Sequence, residues 1–591
     1  MTIDLRAQVI EARGGSVRGL RMPDPAGTVT RGRGVEHPDF LIVGGGTAGS
    51  VLASRLSEDG ATRVLLIEAG PDTPPGAVPA DIADTFPSSS LNRGYFWPEL
   101  KAERVIGEAR RPYPQARVMG GGSSVMGMWA LRGVPADFDS WAKAGAQGWA
   151  WNDVVKFYRQ IENDEIGRRE VNASGPMPIR RVPKQQWPAF AQAMEGAAAQ
   201  RGFRLVDDIN EDGGDGFFAL PLSQGGGQRA SSAHIYLTEA VRRRSNLKIM
   251  ADARVTALKL AAGHVEAVEL EQAGQRRTVS ARQVILSAGG IHSPAMLLRS
   301  GIGPATDLQK LGIAVQVDRP GVGANLQNHP YLHFALTISP GQRSPADLHQ
   351  FGLAGLRHSS GDAGCQAGDL LAFAIGRVSP RAFGAALGMA GAALYQPHSR
   401  GRVTLETPDI RVPPRIDFRL LSDPRDAPRF LKAARFTEAL LRDAAVSRAY
   451  EDAFILPPVL SLHQFNQPGV KGALFEMAAK VALNAPPAIK RRLLEQVISP
   501  GCWVGNARCQ KPATDAELLA AAAPMGHPTS TCAMGRGDAP MAVVDSQCHI
   551  YGVSNLRVVD ASVMPSVPSA NTNLPTTMVA EKMAHAIRAG L

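Results

Sequence analysis

Residues 39–70 read DFLIVGGGTAGSVLASRLSEDGATRVLLIEAG. Phe40–Val43 is a short apolar run, the composition of a buried strand. Gly44-x-Gly46-x-x-Gly49 follows at once, Ser50–Leu56 reads as a helix, and Val64–Ile67 reads as the next strand, closed by Glu68. The spacing predicts a βαβ unit that binds a dinucleotide. Gly44 permits the tight turn, Gly46 lets the backbone approach a pyrophosphate, and Gly49 lets helix and strand pack closely. Thr47 and Ala48 lie at the helix start, where unpaired N–H groups and the positive end of the dipole face the phosphates. Glu68 stands at the offset expected for an acid that accepts hydrogen bonds from both hydroxyls of the adenosine ribose, which disfavours a 2′-phosphate. The motif alone does not separate NAD from FAD.

A second glycine loop bears on that choice. Residues 116–149 begin ARVMGGGSSVMG, so Met119 leads into Gly120-Gly121-Gly122-Ser123-Ser124. This loop exposes more backbone N–H groups and hydroxyls, which a simple NAD enzyme does not need and an extended FAD does.

Five ordered blocks carry a family resemblance. They are the βαβ unit with Glu68-Ala69-Gly70; the second loop with Arg132-Gly133 and Pro135–Asp139; Ser287–Pro294 running on to Ser300–Pro304; Gly323–Gln327; and residues 526–582, from Gly526-His527-Pro528 to Ala580-Glu581-Lys582. In these the chain resembles the glucose–methanol–choline (GMC) oxidoreductases, which are FAD enzymes. The resemblance implies an α/β, two-domain fold: a Rossmann-like FAD-binding domain with an inserted substrate domain built on an antiparallel sheet. The boundaries expected are an extension at 1–36, FAD-binding segments at 37–165, 225–330 and 526–591, and substrate-binding segments at 166–224 and 331–525. The chain departs from the family pattern at Met126, where Asn is usual near the flavin, at Ser530, where Gly is usual, and at Asn328, where Asp is common.

The resemblance also implies roles. Val255 sits where the family holds the adenine edge through backbone groups. Asp560, followed by Ala561, falls near the FAD ribityl and pyrophosphate. Pro575 suits a first helical turn, and Asn573 and Leu574 precede it at a helix start whose dipole would stabilise negative charge on the reduced flavin. His527 and Asn571 correspond to the pair that faces flavin N5. Alcohol oxidation removes a hydroxyl proton and a hydride from one carbon. Neutral His527 is suited to take the proton, the hydride goes to N5, and Asn571, which cannot act as a base, is suited to hold the substrate oxygen. His292, His329, His549 and His585 are read as hydrogen-bonded structural histidines. In HPTSTCAMG (527–535), Cys532 has no matched ligand or base, so no metal site is expected.

Composition bounds the rest. The 591 residues are 44% hydrophobic with net charge +10, a mild excess with no aromatic-interleaved basic stripe, so no nucleic-acid role is expected. Five cysteines without a CxxC pair fit a reducing cytoplasm. No window of about 18 uncharged apolar residues spans a membrane, and residues 1–36 lack the apolar core of a secretory signal.

Asn246–Ile249, Arg254–Leu260, His264–Leu270 and Val284–Ser287 read as strands, and Pro424–Arg442 as a helix with Phe430, Ala434 and Leu440 on its apolar face. Two strand-like runs within 389–420, including Gly401–Leu405, suit the sheet that floors the substrate pocket. In 455–510, Leu474, Ala478 and Val481 fall at helical spacing. That stretch reads as an amphipathic insertion packed on the domain, or as a lid or interfacial element meeting a membrane surface or acceptor partner.

The expected activity is FAD-dependent oxidation of an alcohol to a carbonyl. The partners are a small-molecule alcohol and an electron acceptor: a quinone, a redox protein or O2. The cytosolic reading favours a dehydrogenase over an oxidase. The alternatives are an oxygen-using oxidase and non-redox chemistry known on the same scaffold, such as hydroxynitrile lysis.

Overall fold

A computed structural model describes residues 37–166, 174–345, 347–456, 466, 470–495, 503–504 and 512–590. The extension at 1–36, Cys502, Cys509 and much of 455–510 lie outside the described residues.

Phe40–Val43 and Val64–Ile67 form as the sequence predicts, the helix between them beginning three residues earlier, at Thr47. These strands belong to a five-stranded parallel sheet in the order Leu247–Met250, Val64–Ile67, Phe40–Val43, Gln283–Leu286, Leu556–Val558. Both faces are covered, which is why Leu41, Ile42, Leu66 and Ile285 have no exposed surface and why the strands read as unbroken apolar runs. The Thr47–Leu56 helix packs beside the helix Asn573–Arg588, whose Met578, Val579 and Ala580 join the same core. The strands Ala253–Ala261, His264–Gln272 and Gln275–Val279 make an antiparallel meander. Its two turns, Ala262-Gly263 and Ala273-Gly274, have positive φ at both central residues, the geometry that matches the twist of a two-residue hairpin.

A second core lies under a larger sheet in which Tyr450–Ile455, Pro330–Ile338, Leu387–Leu394, Leu370–Ile375, Gly352–His358 and Gly216–Ala219 pair antiparallel in that order. Gly391 faces the Phe373 ring across this sheet: a Cβ at 391 would lie 1.9 Å from it. The helix Asp426–Leu441 covers the sheet, with Phe430, Ala434 and Leu440 fully buried as expected.

Two expectations are corrected. Gly401–Leu405 does not join the large sheet. Arg402–Thr404 pairs instead with Arg415–Asp417 in a small sheet completed by Lys101–Glu103 and Arg111–Pro112. Gly401 permits this placement, because it lies so close to the Asp417 carbonyl that a Cβ would come within 2.0 Å. The helix Val470–Asn484 forms, but Leu474 and Val481 point outward, 56% and 68% exposed, rather than into the body; Leu483 is the buried side chain.

Candidate active site

One cavity runs between the two cores, and both glycine loops open onto it. The Thr47–Leu56 helix starts at Gly46 with no side-chain cap and no acid in its first turn, so its N–H groups are free for an anion. Glu68 accepts the Gly45 N–H at 2.7 Å and the Gly70 N–H at 2.8 Å, which fixes the carboxylate at the turn while leaving lone pairs. Burial raises this carboxyl above its ordinary value and the two N–H bonds oppose the rise.

Gly120 and Gly121 adopt φ of +85° and +55°, and a Cβ on Gly121 would lie 2.8 Å from the Gly46 Cα. The two loops therefore meet glycine to glycine, and side chains at either place would fill the cradle that a pyrophosphate needs. The short helix Gly122–Val125 follows. The Ser123 hydroxyl donates to the Gly120 carbonyl (2.6 Å) and accepts the Ser232 N–H (2.9 Å). Arg229, 2% exposed, donates to the carbonyls of Ile82, Ser123 and Met126, and among the described residues no carboxylate pairs with it. Burial pushes its pKa down to about 10.

Gly44, Gly46, Thr47, Ala48, Glu68, Ala69, Gly122, Ser123, Met126, Val255, Asp560, Ala561, Asn573, His527 and Asn571 all line the cavity. Gly49, Met119, Gly120 and Leu574 stand behind the wall. A Cβ on Gly49 would meet the Gly44 carbonyl at 1.9 Å, so this glycine serves helix packing. The Gly120 N–H donates to the Gly45 carbonyl at 2.7 Å, and Met119 and Leu574 are fully buried. Val255 sits at a register shift between Val255 and Ala257, which frees backbone groups from the ladder at the cavity edge. Asp560 accepts from the Gly289 N–H and Ser293 Oγ on one oxygen and from the Ser562 N–H and Oγ on the other. Its carboxylate therefore pins the start of the helix Gly289–Arg299 beside the cavity.

The helix Asn573–Arg588 also begins without a side-chain cap or an acid in its first turn. Thr47 Oγ1 donates to Asn573 Oδ1 at 3.0 Å, tying the two helix starts together. Two uncapped N-termini thus converge on one cavity, and the donor set fits FAD: one end for the diphosphate, the other for negative charge on the ring.

His527 is held by strand-like pairing. Pro330 and Tyr331 pair with Pro524 and Ala523, the Met525 N–H donates to the His329 carbonyl (3.1 Å), and Gln327 and Thr529 exchange backbone bonds. Asn328 explains its departure from the family's Asp: its amide donates to the Met525 carbonyl at 2.7 Å, which a carboxylate does not do. Ser530, at the usual Gly position, has φ +71°, the left-handed conformation that favours glycine. Cys532 is fully buried, and burial raises its thiol pKa strongly.

Asn571 Nδ2 lies 3.2 Å from His527 Nε2. Tyr395 donates its hydroxyl to Asn571 Oδ1 at 3.0 Å. Desolvation lowers His527 to about 3, so the imidazole is neutral. His329, read from sequence as structural, stands against the pair: its Nδ1 is 2.9 Å from His527 Nδ1. Its place two residues after the Gly323–Gln327 block was the available signal. His292, also read as structural, packs tilted against Trp97 with ring centroids 4.3 Å apart in the cavity wall, where the Arg117 and Arg254 guanidiniums flank the same Trp97 ring. His549 pairs with Asp545 at 3.2 Å, a structural role. Beyond His527 the wall is aromatic and thioether-rich: Trp129, Tyr331, Phe351, Phe373, Met126 and Met525. Glu68 and Asp560 are the only carboxylates among the described residues of the cavity wall, and both hold backbone N–H groups.

Comparison with known proteins matches this picture. A family model described as GMC oxidoreductase, N-terminal part, matches residues 38–331, and its C-terminal counterpart matches residues 397–580. The chain is 37% identical to a 5-(hydroxymethyl)furfural oxidase of Methylovorus sp. (strain MP688), over 93% of this chain and 98% of the relative. It is 33% identical to an oxygen-dependent choline dehydrogenase of Rhizobium etli (strain CIAT 652), over 92% and 94%. The crystal structure of pyridoxine 4-oxidase from "Mesorbium loti" superposes with a TM-score of 0.74 at 27% identity, covering 94% of this chain and 99% of that one.

Proposed function

This chain belongs to the GMC oxidoreductases, FAD-dependent enzymes that act on alcohol-type substrates, and from that premise we propose that it oxidises a neutral aromatic primary alcohol to the aldehyde. The observation that carries the reading is the His527–Asn571 pair, 3.2 Å apart, facing an aromatic wall in which the described residues include no free carboxylate. We assign FAD to the segments 37–165, 225–330 and 526–591, held by Gly44, Gly46, Thr47, Ala48, Glu68, Ala69, Gly122, Ser123, Val255, Asp560, Ala561 and Asn573. The substrate falls to 166–224 and 331–525, which contribute Phe351 and Phe373.

When bound, FAD supplies the two-electron acceptor. Asn571 holds the alcohol oxygen through Nδ2 and sets the reacting carbon in place. Neutral His527 takes the hydroxyl proton at Nε2, the ring nitrogen that faces Asn571. The two uncapped helix starts carry positive dipole ends toward the charges that the cofactor brings and develops. Trp129, Tyr331, Phe351 and Phe373 exclude water and stack on a planar substrate.

The sequence favoured a dehydrogenase. The names of the relatives above support oxygen as the acceptor instead, since one is an oxidase and the other an oxygen-dependent dehydrogenase. Choline is disfavoured, because among the described residues no free carboxylate faces the substrate half to pair with a quaternary ammonium.

The test is a panel of benzylic, furanic and aliphatic alcohols and choline, mixed anaerobically with the holoenzyme. Aromatic alcohols should bleach the flavin bands, and air should restore them with oxygen consumption. Bleaching by choline alone would overturn the substrate class. Turnover without bleaching would mean a lyase, and re-oxidation by a dye but not by air would mean a dehydrogenase.

A further inference from the structure

We propose that His329 is a positioning residue that dictates which ring nitrogen of His527 carries hydrogen, so that the base presents its lone pair to the alcohol. The proposal deepens the alcohol-oxidation reading and rests on it.

The hydrogen-bond directions are forced one after another. The Pro568 carbonyl can only accept, and His329 Nε2 lies 3.1 Å from it, so that nitrogen carries the hydrogen. His329 is fully buried and burial holds its pKa well below the ordinary value, so the ring is neutral and has a single N–H. Its Nδ1 is therefore an acceptor. The partner at 2.9 Å, His527 Nδ1, must donate. His527 is neutral as well, so its lone pair falls on Nε2, the nitrogen facing Asn571 and the cavity.

A second chain of bonds meets the first. Tyr395 is buried and its hydroxyl pKa is raised, so it stays protonated and donates to Asn571 Oδ1 at 3.0 Å. That turns the Asn571 amide nitrogen toward His527 Nε2. The Tyr395 ring also stacks on His329, with centroids 4.4 Å apart and planes 20° apart. One stacked pair thus fixes both the tautomer of the base and the face of the amide. Reversing the His329 tautomer would set a lone pair against the Pro568 carbonyl. Reversing His527 would leave Nδ1 and Nδ1 as two acceptors in contact. In a histidine the hydrogen bond at one ring nitrogen decides the state of the other.

The test uses holoenzyme labelled with 15N-histidine, with the His527 signals assigned by their loss in His527→Gln. Long-range 1H–15N spectra should show His527 hydrogen-bearing at Nδ1. In His329→Leu it should move to the Nε2–H form, and anaerobic flavin reduction by a benzylic alcohol should slow roughly 10²- to 10⁴-fold, from the range for lost general-base catalysis up to that for a base held in the wrong tautomer, with KM little changed. His329→Asn, which keeps an acceptor oxygen near the Nδ1 position, should recover at least about tenfold of that loss. A wild-type His527 carrying hydrogen on Nε2 would overturn the proposal, as would an unchanged reduction rate in flavin-loaded His329→Leu. If His329→Leu fails to bind flavin, the wild-type tautomer and the Asn variant decide. If no alcohol reduces the wild type, the alcohol reading falls while the tautomer measurement still tests the role of His329.

Discussion

His527 is neutral because the wall around it, not a charged neighbour, lowers its pKa to about 3. A lowered histidine pKa preserves the basic form into acid, so flavin reduction should show no titration of this base above about pH 5. Replacing it by Ala should cut the anaerobic reduction rate roughly 10²- to 10⁴-fold with FAD still bound. A flavin-loaded His527→Ala that reduces at the wild-type rate would remove His527 from the mechanism. That His527 and Asn571 come together was legible in the sequence because each stands in an ordered motif. His329 was not: nothing in spacing says that a residue 198 positions away lies 2.9 Å from the base. Met126 was legible as a departure, and its position became clear only in three dimensions. Its sulfur lies 3.5 Å from where a Cβ on Gly526 would stand, so it packs against the loop that carries His527.

At the scale of elements, the 527–531 loop is clasped from two sides. The Gln327–Tyr331 stretch pairs with it along the backbone, and the Gly289–Arg299 helix presses on it from below. Thr531 donates its hydroxyl to the Gly290 carbonyl at 2.7 Å, and a Cβ on Gly290 would meet the Pro528 carbonyl at 2.2 Å. Gly290→Ala must therefore push the backbone next to His527. Overpacking of this kind costs about 1–3 kcal/mol, and a shift of the base by about 1 Å slows catalysis on the order of 100-fold. Thermal unfolding and stopped-flow reduction read the two effects; a variant normal in both would mean the loop has slack. The parallel strands were readable because strands buried on both faces are apolar throughout. Arg402–Thr404 was readable as a strand but not as to its sheet, because periodicity specifies a face and not a partner. The helix at 470–484 was readable from its spacing. Its outward-facing Leu474 and Val481 were not, since an apolar stripe in sequence does not say which side meets the body.

For the whole molecule, buried imidazoles make one contribution to the response to acid. Burial lowers His292 to about 3 and His333 and His358 to about 4, and holds His329 well down. Each binds a proton more readily unfolded than folded between these values and the ordinary 6.5. Their contribution is whole above about pH 6.5 and declines as pH falls toward 4, by up to about 1.4 kcal/mol per pH unit for each group. Buried carboxyls run the other way, Asp137 being raised to about 6, so the histidine share is read from a variant: the midpoint of thermal unfolding of His358→Phe should depend less on pH between 6.5 and 4.5 than that of the wild type. An equal pH dependence in the two would mean that this ring meets solvent in the folded state. The fold class and the two glycine loops that meet at the cavity were legible because close backbone approach requires glycine. The aromatic substrate wall was not, because its residues are far apart in sequence and each looks like ordinary core.

The bond from Thr47 to Asn573 spans 526 positions of chain. A ribosome adding about 5–20 residues per second needs on the order of 25–100 s to travel that distance. Throughout that interval the first glycine loop is finished and the second helix start does not yet exist. The two helix starts can therefore face one cavity only after the chain through the 573–588 helix has been made.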